Sequence, residues 1–194
     1  MTKPIDLLLG SCSRLERAWR IPGGAARAPQ VSEVSPCGGG GLTAGLALAC
    51  PDAEIVPVEP EGWDDVRLSL ERGEIVPVPN LKFPTQCDAL QTPATWPINF
   101  AVLKQRVARG YAVTAGEVRA AQRWAFANLH LVVEPGGAAA LAAVLAGKVP
   151  TDGRTAIVLS GGNTDPDAFA KVLIGTVSTG GNNETGNSTD SLGT

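Results

Sequence analysis

The run Val31-Ser32-Glu33-Val34-Ser35-Pro36-Cys37-Gly38-Gly39-Gly40-Gly41-Leu42-Thr43-Ala44-Gly45 decides how this chain folds. A weak strand is expected over Val31–Ser35, then a glycine loop at Gly38–Gly41, then an apolar helix over Leu42–Ala49. Glycines at consecutive positions let backbone N–H groups converge with no Cβ in the way. The helix behind them presents unsatisfied N–H groups and the positive end of its dipole. Together these features suit a phosphate, although a tight turn would use the same glycines. The spacing is not GxGxxG and no Walker lysine follows, which argues against a dinucleotide or ATP.

Outward from the loop, strands alternate with helices. Ala53–Val58 reads as a strand ending at Glu59-Pro60, and Asp64–Arg72 as a helix stopped by Gly73. A helix is expected over Pro97–Val107 and a short strand over Tyr111–Val113. Thr114 then caps a helix, with Glu117 as its capping-box partner and Val118, Ala121, Ala125 and Leu129 along one face. Gly136–Leu145 is expected to be an alanine-rich helix and Thr155–Leu159 a buried strand. Asp165 caps a last helix, with Pro166 at its first position. This alternation implies an α/β fold of three layers around a mostly parallel sheet.

Composition narrows the function classes. Of 194 residues, 44% are hydrophobic and 18% charged, which marks a globular chain. A net charge of −3 argues against nucleic acid, and no apolar run is long enough for a membrane helix. The four cysteines, Cys12, Cys37, Cys50 and Cys87, form no CxxC pair, so reduced thiols in a cytoplasmic protein are expected. His130 is the only histidine, which excludes a multi-histidine metal site and, with no GxSxG elbow, disfavours a serine triad. His130 is expected at a helix end, and Trp96 and Trp124 in packing. Residues 1–30 are arginine-rich and aperiodic, 31–174 hold the ordered pattern, and 175–194 read as a disordered tail.

The ordered set of short motifs resembles one family. Cys37-Gly38-Gly39-Gly40-Gly41-Leu42-Thr43-Ala44-Gly45 is similar to the phosphate loop of serine/threonine dehydratases and serine racemase, pyridoxal-phosphate enzymes of fold type II. The resemblance continues through Glu59-Pro60, Trp63-Asp64-Asp65 and Cys87-Asp88-Ala89-Leu90. It closes with Val133-Glu134-Pro135-Gly136-Gly137-Ala138-Ala139 and Leu159-Ser160-Gly161-Gly162-Asn163. It covers about residues 31–173 and implies an incomplete fold type II enzyme, the C-terminal part of its cofactor-binding domain.

The resemblance implies roles. Gly38, Gly39, Gly40, Gly41 and the Leu42 amide would hold the phosphate of pyridoxal 5'-phosphate. Ser160 would face the pyridine nitrogen, where a neutral hydroxyl leaves that nitrogen largely unprotonated; read alone, Ser160 would cap the turn before the last helix. Glu134 matches a glutamate near the ring, or is simply a strand-end carboxylate. Glu59, the Trp63 carbonyl and Asp65 match a divalent-cation site suited to Mg²⁺ or Ca²⁺, or else form a solvated helix start. The implied reaction is β-elimination from a hydroxy amino acid, giving a 2-oxo acid and ammonia.

Two features depart from the family. Its chemistry uses a lysine in a Ser-Phe-Lys-type motif upstream of the glycine loop, and none of Lys3, Lys82, Lys104, Lys148 and Lys171 has that context. Ser32, Glu33 and Ser35 also interrupt what should be a near-continuous apolar strand. The resemblance is therefore expected to begin abruptly near Val31. The expectation is a lyase fragment that is incompetent alone, paired with a homologous full-length subunit or as a homodimer. The alternative is a non-catalytic or regulatory phosphate-ligand module.

Overall fold

The computed structural model describes residues 31–151 and 154–175. The expectations for 1–30 and for the tail from 176 lie outside them. Strands β1 (Ser32–Pro36), β2 (Glu54–Pro60), β3 (Tyr111–Val113) and β4 (Thr155–Ile157) form one sheet in the order β3-β2-β1-β4. All pairings are parallel, with Val34 beside Val56 on one side and Ile157 on the other. The helices are α1 (Gly41–Ala49), α2 (Asp65–Arg72), α3 (Pro97–Arg106), α4 (Ala115–Leu129), α5 (Ala139–Leu145) and α6 (Pro166–Ile174).

Strand alternation separates two cores. On one face Ile55 packs with Ala44 and Ala47 of α1, Val66 of α2 and Leu103 of α3. On the other, Val34, Val56, Val58 and Val113 meet α5 and the Val118-Ala121-Ala125 stripe of α4. The three layers and parallel sheet are those expected. Among the described residues no helix is long and apolar enough to cross a membrane.

Local signals mark the ends. The Thr114 hydroxyl accepts the Glu117 N–H and the Glu117 carboxylate accepts the Thr114 N–H, which completes the capping box. Asp165 accepts the Ala168 N–H at 2.8 Å, and Gly73 closes α2 in the left-handed region. His130 ends α4 with a left-handed backbone of φ 56°. Trp124 packs against the core as expected, but Trp96 stands two-thirds exposed just before α3.

Three expectations need correction. Gly136–Ala138 is a 3-10 turn, and α5 begins only at Ala139. Pro135 and two glycines are poor helix formers, and Gly137 instead backs against the Gly161 backbone. Strand pairing in β4 stops at Ile157, short of Leu159, although the Val158 N–H still reaches the Val34 carbonyl at 2.9 Å. The first strand, interrupted by polar residues, is nonetheless central and buried, with Glu33 only 3% exposed.

Glu33 faces the α1 layer, where the Cys50 thiol hydrogen-bonds its carboxyl and Oε1 has no partner. Burial raises its pKa above the ordinary 4.5. A carboxyl raised in the folded state favours folding below its unfolded pKa and loses that contribution as pH rises through the folded value. The protein should therefore lose stability as pH climbs from about 4.5. Glu33→Leu should remove the part of this decline that Glu33 contributes and add about 1–3 kcal/mol at pH 7 in urea titrations, the cost of an unsatisfied buried polar group.

Candidate functional site

The strand order places a topological switch between β1 and β4. From β1 the chain moves through β2 to β3 on one side, and β4 later returns on the other. Open parallel sheets bind ligands at the carboxyl ends of strands at such a point. The glycine loop leaves the end of β1 there, and Ser160 follows the end of β4, exposed.

Gly40 caps α1 with φ 84°, a left-handed conformation that glycine adopts without strain. No side chain caps α1, and its first bond runs from the Ala44 N–H to the Gly40 carbonyl. The N–H groups of Gly41, Leu42 and Thr43 thus lead the helix. A Cβ on Gly41 would meet only the Asn99 side chain, at 3.9 Å, and both Gly41 and Leu42 are exposed. A glycine cradle opening onto helix amides fits a phosphate dianion.

Glu134 joins the cluster from the α4–α5 connection. Its N–H donates to the Gly161 carbonyl at 3.0 Å, and its carboxylate accepts the Asn163 N–H at 3.1 Å. A Cβ on Gly161 would lie 2.2 Å from Glu134 Oε1, so only glycine admits this carboxylate beside Ser160. Gln122 of α4 holds the neighbouring Val133 carbonyl at 2.8 Å. Leu90, in the 3-10 turn Asp88–Leu90, abuts both Gly38 and Gly136 and so ties the two loops together.

The acidic group sits on the other flank, where β2 meets α2. Glu59 is fully buried and its two oxygens accept the Val66 and Arg67 N–H groups at 3.0 and 2.7 Å. It caps α2 from the strand end. Asp65 is equally buried; Oδ2 accepts the Thr95 N–H at 2.6 Å and Oδ1 has no partner. Burial, then the neighbouring Asp65 charge, pushes the Glu59 pKa well up, and burial pushes Asp65 to about 6. Asp64 instead grips the Arg67 guanidinium. Trp63 is buried and its indole N–H donates to the Phe83 carbonyl at 2.9 Å. Among the described residues no three His, Cys, Asp or Glu side chains converge on a metal position, so a cation here would draw on two carboxylates and a carbonyl. The unpartnered Asp65 oxygen is a hard donor of the kind such a cation takes.

Sequence reasoning missed Thr95 and Asn99. The Thr95 hydroxyl and the Asn99 amide both donate to the Gly39 carbonyl, at 3.1 and 2.7 Å. Only tertiary structure brings them there.

A family model described as pyridoxal-phosphate dependent enzyme matches residues 27–161. The chain belongs to this family. It is a fold type II enzyme chain related to serine/threonine dehydratases and serine racemases. The match begins at residue 27, ahead of the Val31 start expected from the motifs. Phenylserine dehydratase of Ralstonia pickettii is 36% identical over 146 residues, covering 72% of this chain and 44% of that protein. Serine racemase of Schizosaccharomyces pombe is 35% identical over 141 residues, covering 70% and 43%. The crystal structure of a threonine deaminase from T.th. superposes with a TM-score of 0.66 at 37% identity, over 71% of this chain and 52% of that one. The chain spans less than half the length of these curated relatives.

Gly40 tests the loop directly. A Cβ there would lie 2.9 Å from Leu103 Cδ1 at a backbone angle that L-residues rarely adopt. Gly40→Ala should cost about 1–3 kcal/mol in urea titrations. Gly45→Ala, where a Cβ meets nothing within 4 Å, should be neutral or stabilising.

Proposed function

We propose that the chain forms the phosphate cradle and ring contacts of a pyridoxal-phosphate-dependent ammonia-lyase acting on hydroxy amino acids in the cytoplasm. The observation that carries this reading is the placement of Gly38–Gly41 and Ser160 at the ends of adjacent strands, at the sheet's switch point. Support for the substrate class comes from relatives named phenylserine dehydratase, serine racemase and L-threo-3-hydroxyaspartate ammonia-lyase.

When bound, the cofactor supplies an electron sink for charge developing at the substrate α-carbon. The amides of Gly38–Leu42 and the start of α1 hold its phosphate and fix its position. The Ser160 hydroxyl would face the ring nitrogen without holding a proton there as a carboxylate would. That keeps the sink weak and suits loss of a β-hydroxyl after α-proton removal. Glu134, oriented by the Asn163 N–H, would flank the ring. Glu59, the Trp63 carbonyl and Asp65 would hold Mg²⁺ or Ca²⁺, a hard cation that suits oxygen donors.

The lysine that links to the cofactor has no counterpart among the described residues near the loop. Lys104 is bound to the Gly73 carbonyl at 2.7 Å, and Lys148 to Glu117 and the Ala112 carbonyl at 2.7 and 2.9 Å. In this reading a segment or subunit that carries such a lysine supplies it. Titration with pyridoxal 5'-phosphate should show saturable binding by this chain. Borohydride treatment and mass spectrometry should leave no pyridoxyl group on it. Ammonia release should require that segment or subunit. Absence of saturable binding overturns the reading. Binding without any gain on mixing favours the non-catalytic module.

The cation makes its own prediction. Mg²⁺ or Ca²⁺ at about 100 times its dissociation constant should add about 2.7 kcal/mol, seen as a higher Tm. Asp65→Asn should abolish that shift.

A further inference from the structure

We infer that Thr95 and Asn99 are positioning residues for the phosphate, acting through the Gly39 carbonyl to aim the Gly40 N–H. The inference rests on the reading that the glycine loop takes a phosphate.

Both side chains donate to one acceptor, Thr95 Oγ1 at 3.1 Å and Asn99 Nδ2 at 2.7 Å from the Gly39 oxygen. A trans peptide is planar, with its C=O and N–H pointing in opposite directions. Pinning the Gly39 carbonyl toward α3 therefore turns the Gly40 N–H away from α3. Two donors on that carbonyl also polarise the peptide and strengthen its N–H as a donor. Without them, four glycines could rotate this plane freely.

The clamp is anchored. Thr95 is 3% exposed, and its own N–H is held by Asp65 Oδ2 at 2.6 Å. Asn99 stands in the first turn of α3, braced by that helix. A Cβ on Gly40 would lie 3.1 Å from Thr95 Oγ1 and 3.5 Å from Asn99 Cβ, so the loop rests directly on both. Neither residue touches the anion in this arrangement. They set the geometry of a backbone donor that does.

The test uses the full chain, with pyridoxal 5'-phosphate and phosphate-free pyridoxal as probes. Thr95→Val keeps the shape and the N–H but removes the hydroxyl, and Asn99→Leu removes the amide. Each should weaken pyridoxal 5'-phosphate binding about 3–10-fold, the range for one hydrogen bond. Pyridoxal binding should not move, and Thr95→Ser should restore affinity. Val118→Ala, remote in the α4 core, serves as a stability control. If wild type binds and both variants bind equally well, the inference fails and the proposed function stands. If the variants lose no more affinity than Val118→Ala at matched loss of stability, the role is only structural and the inference fails. If wild type binds neither inorganic phosphate nor pyridoxal 5'-phosphate, both fail. A second measurement needs no variant. Adding inorganic phosphate to wild type should shift the Gly40 amide resonance far more than that of Gly45, and equal shifts would overturn the inference.

Discussion

The parallel pairing of β1 with β4, Val34 beside Ile157, joins two segments far apart in the chain. With β2 and β3 stacked on the other edge of β1, the chain departs from this seam in opposite directions. The glycine loop and the Ser160 turn then leave the carboxyl ends of adjacent strands. Each alone is an ordinary strand-to-helix turn. Their adjacency brings a helix start, a hydroxyl and a carboxylate to one end of the sheet.

Around these turns the backbone is held by side chains from several other elements. Asp65 holds the Thr95 N–H, Thr95 and Asn99 hold the Gly39 carbonyl, Gln122 holds Val133, and Leu90 wedges against Gly38 and Gly136. The acidic flank is thus continuous with the glycine loop through one threonine. Glu59 serves the same economy of contact, since its two oxygens cap α2 from the end of β2.

Much of the fold was legible because its signals are local. The Thr114 capping box, the Gly73 stop, Asp165-Pro166 and the Val118-Ala121-Ala125 stripe each lie within one or two turns of chain. The glycine loop and Ser160 were legible for the same reason, as turns after strands. What escaped depends on remote partners. Glu33 looks wrong for a buried strand until Cys50 and the α1 layer are beside it. The Gly136–Ala138 turn departs from a helix because Gly161 backs onto Gly137. Thr95 and Asn99 lie 56 and 60 residues from Gly39, and no spacing rule spans that gap.

The contact between Gly137 and Gly161 has a consequence for how this chain can change over generations. A Cβ on Gly137 would lie 2.8 Å from the Gly161 backbone, and one on Gly161 would strike Glu134. At most packed contacts, a larger residue on one side can be offset by a smaller one opposite. Between these glycines there is no side chain left to shrink, so a second-site suppressor for Gly137 must shift main chain. Drift is then barred at the seam between these turns while it stays open on the outer face of α1, where Gly45 has room for a side chain.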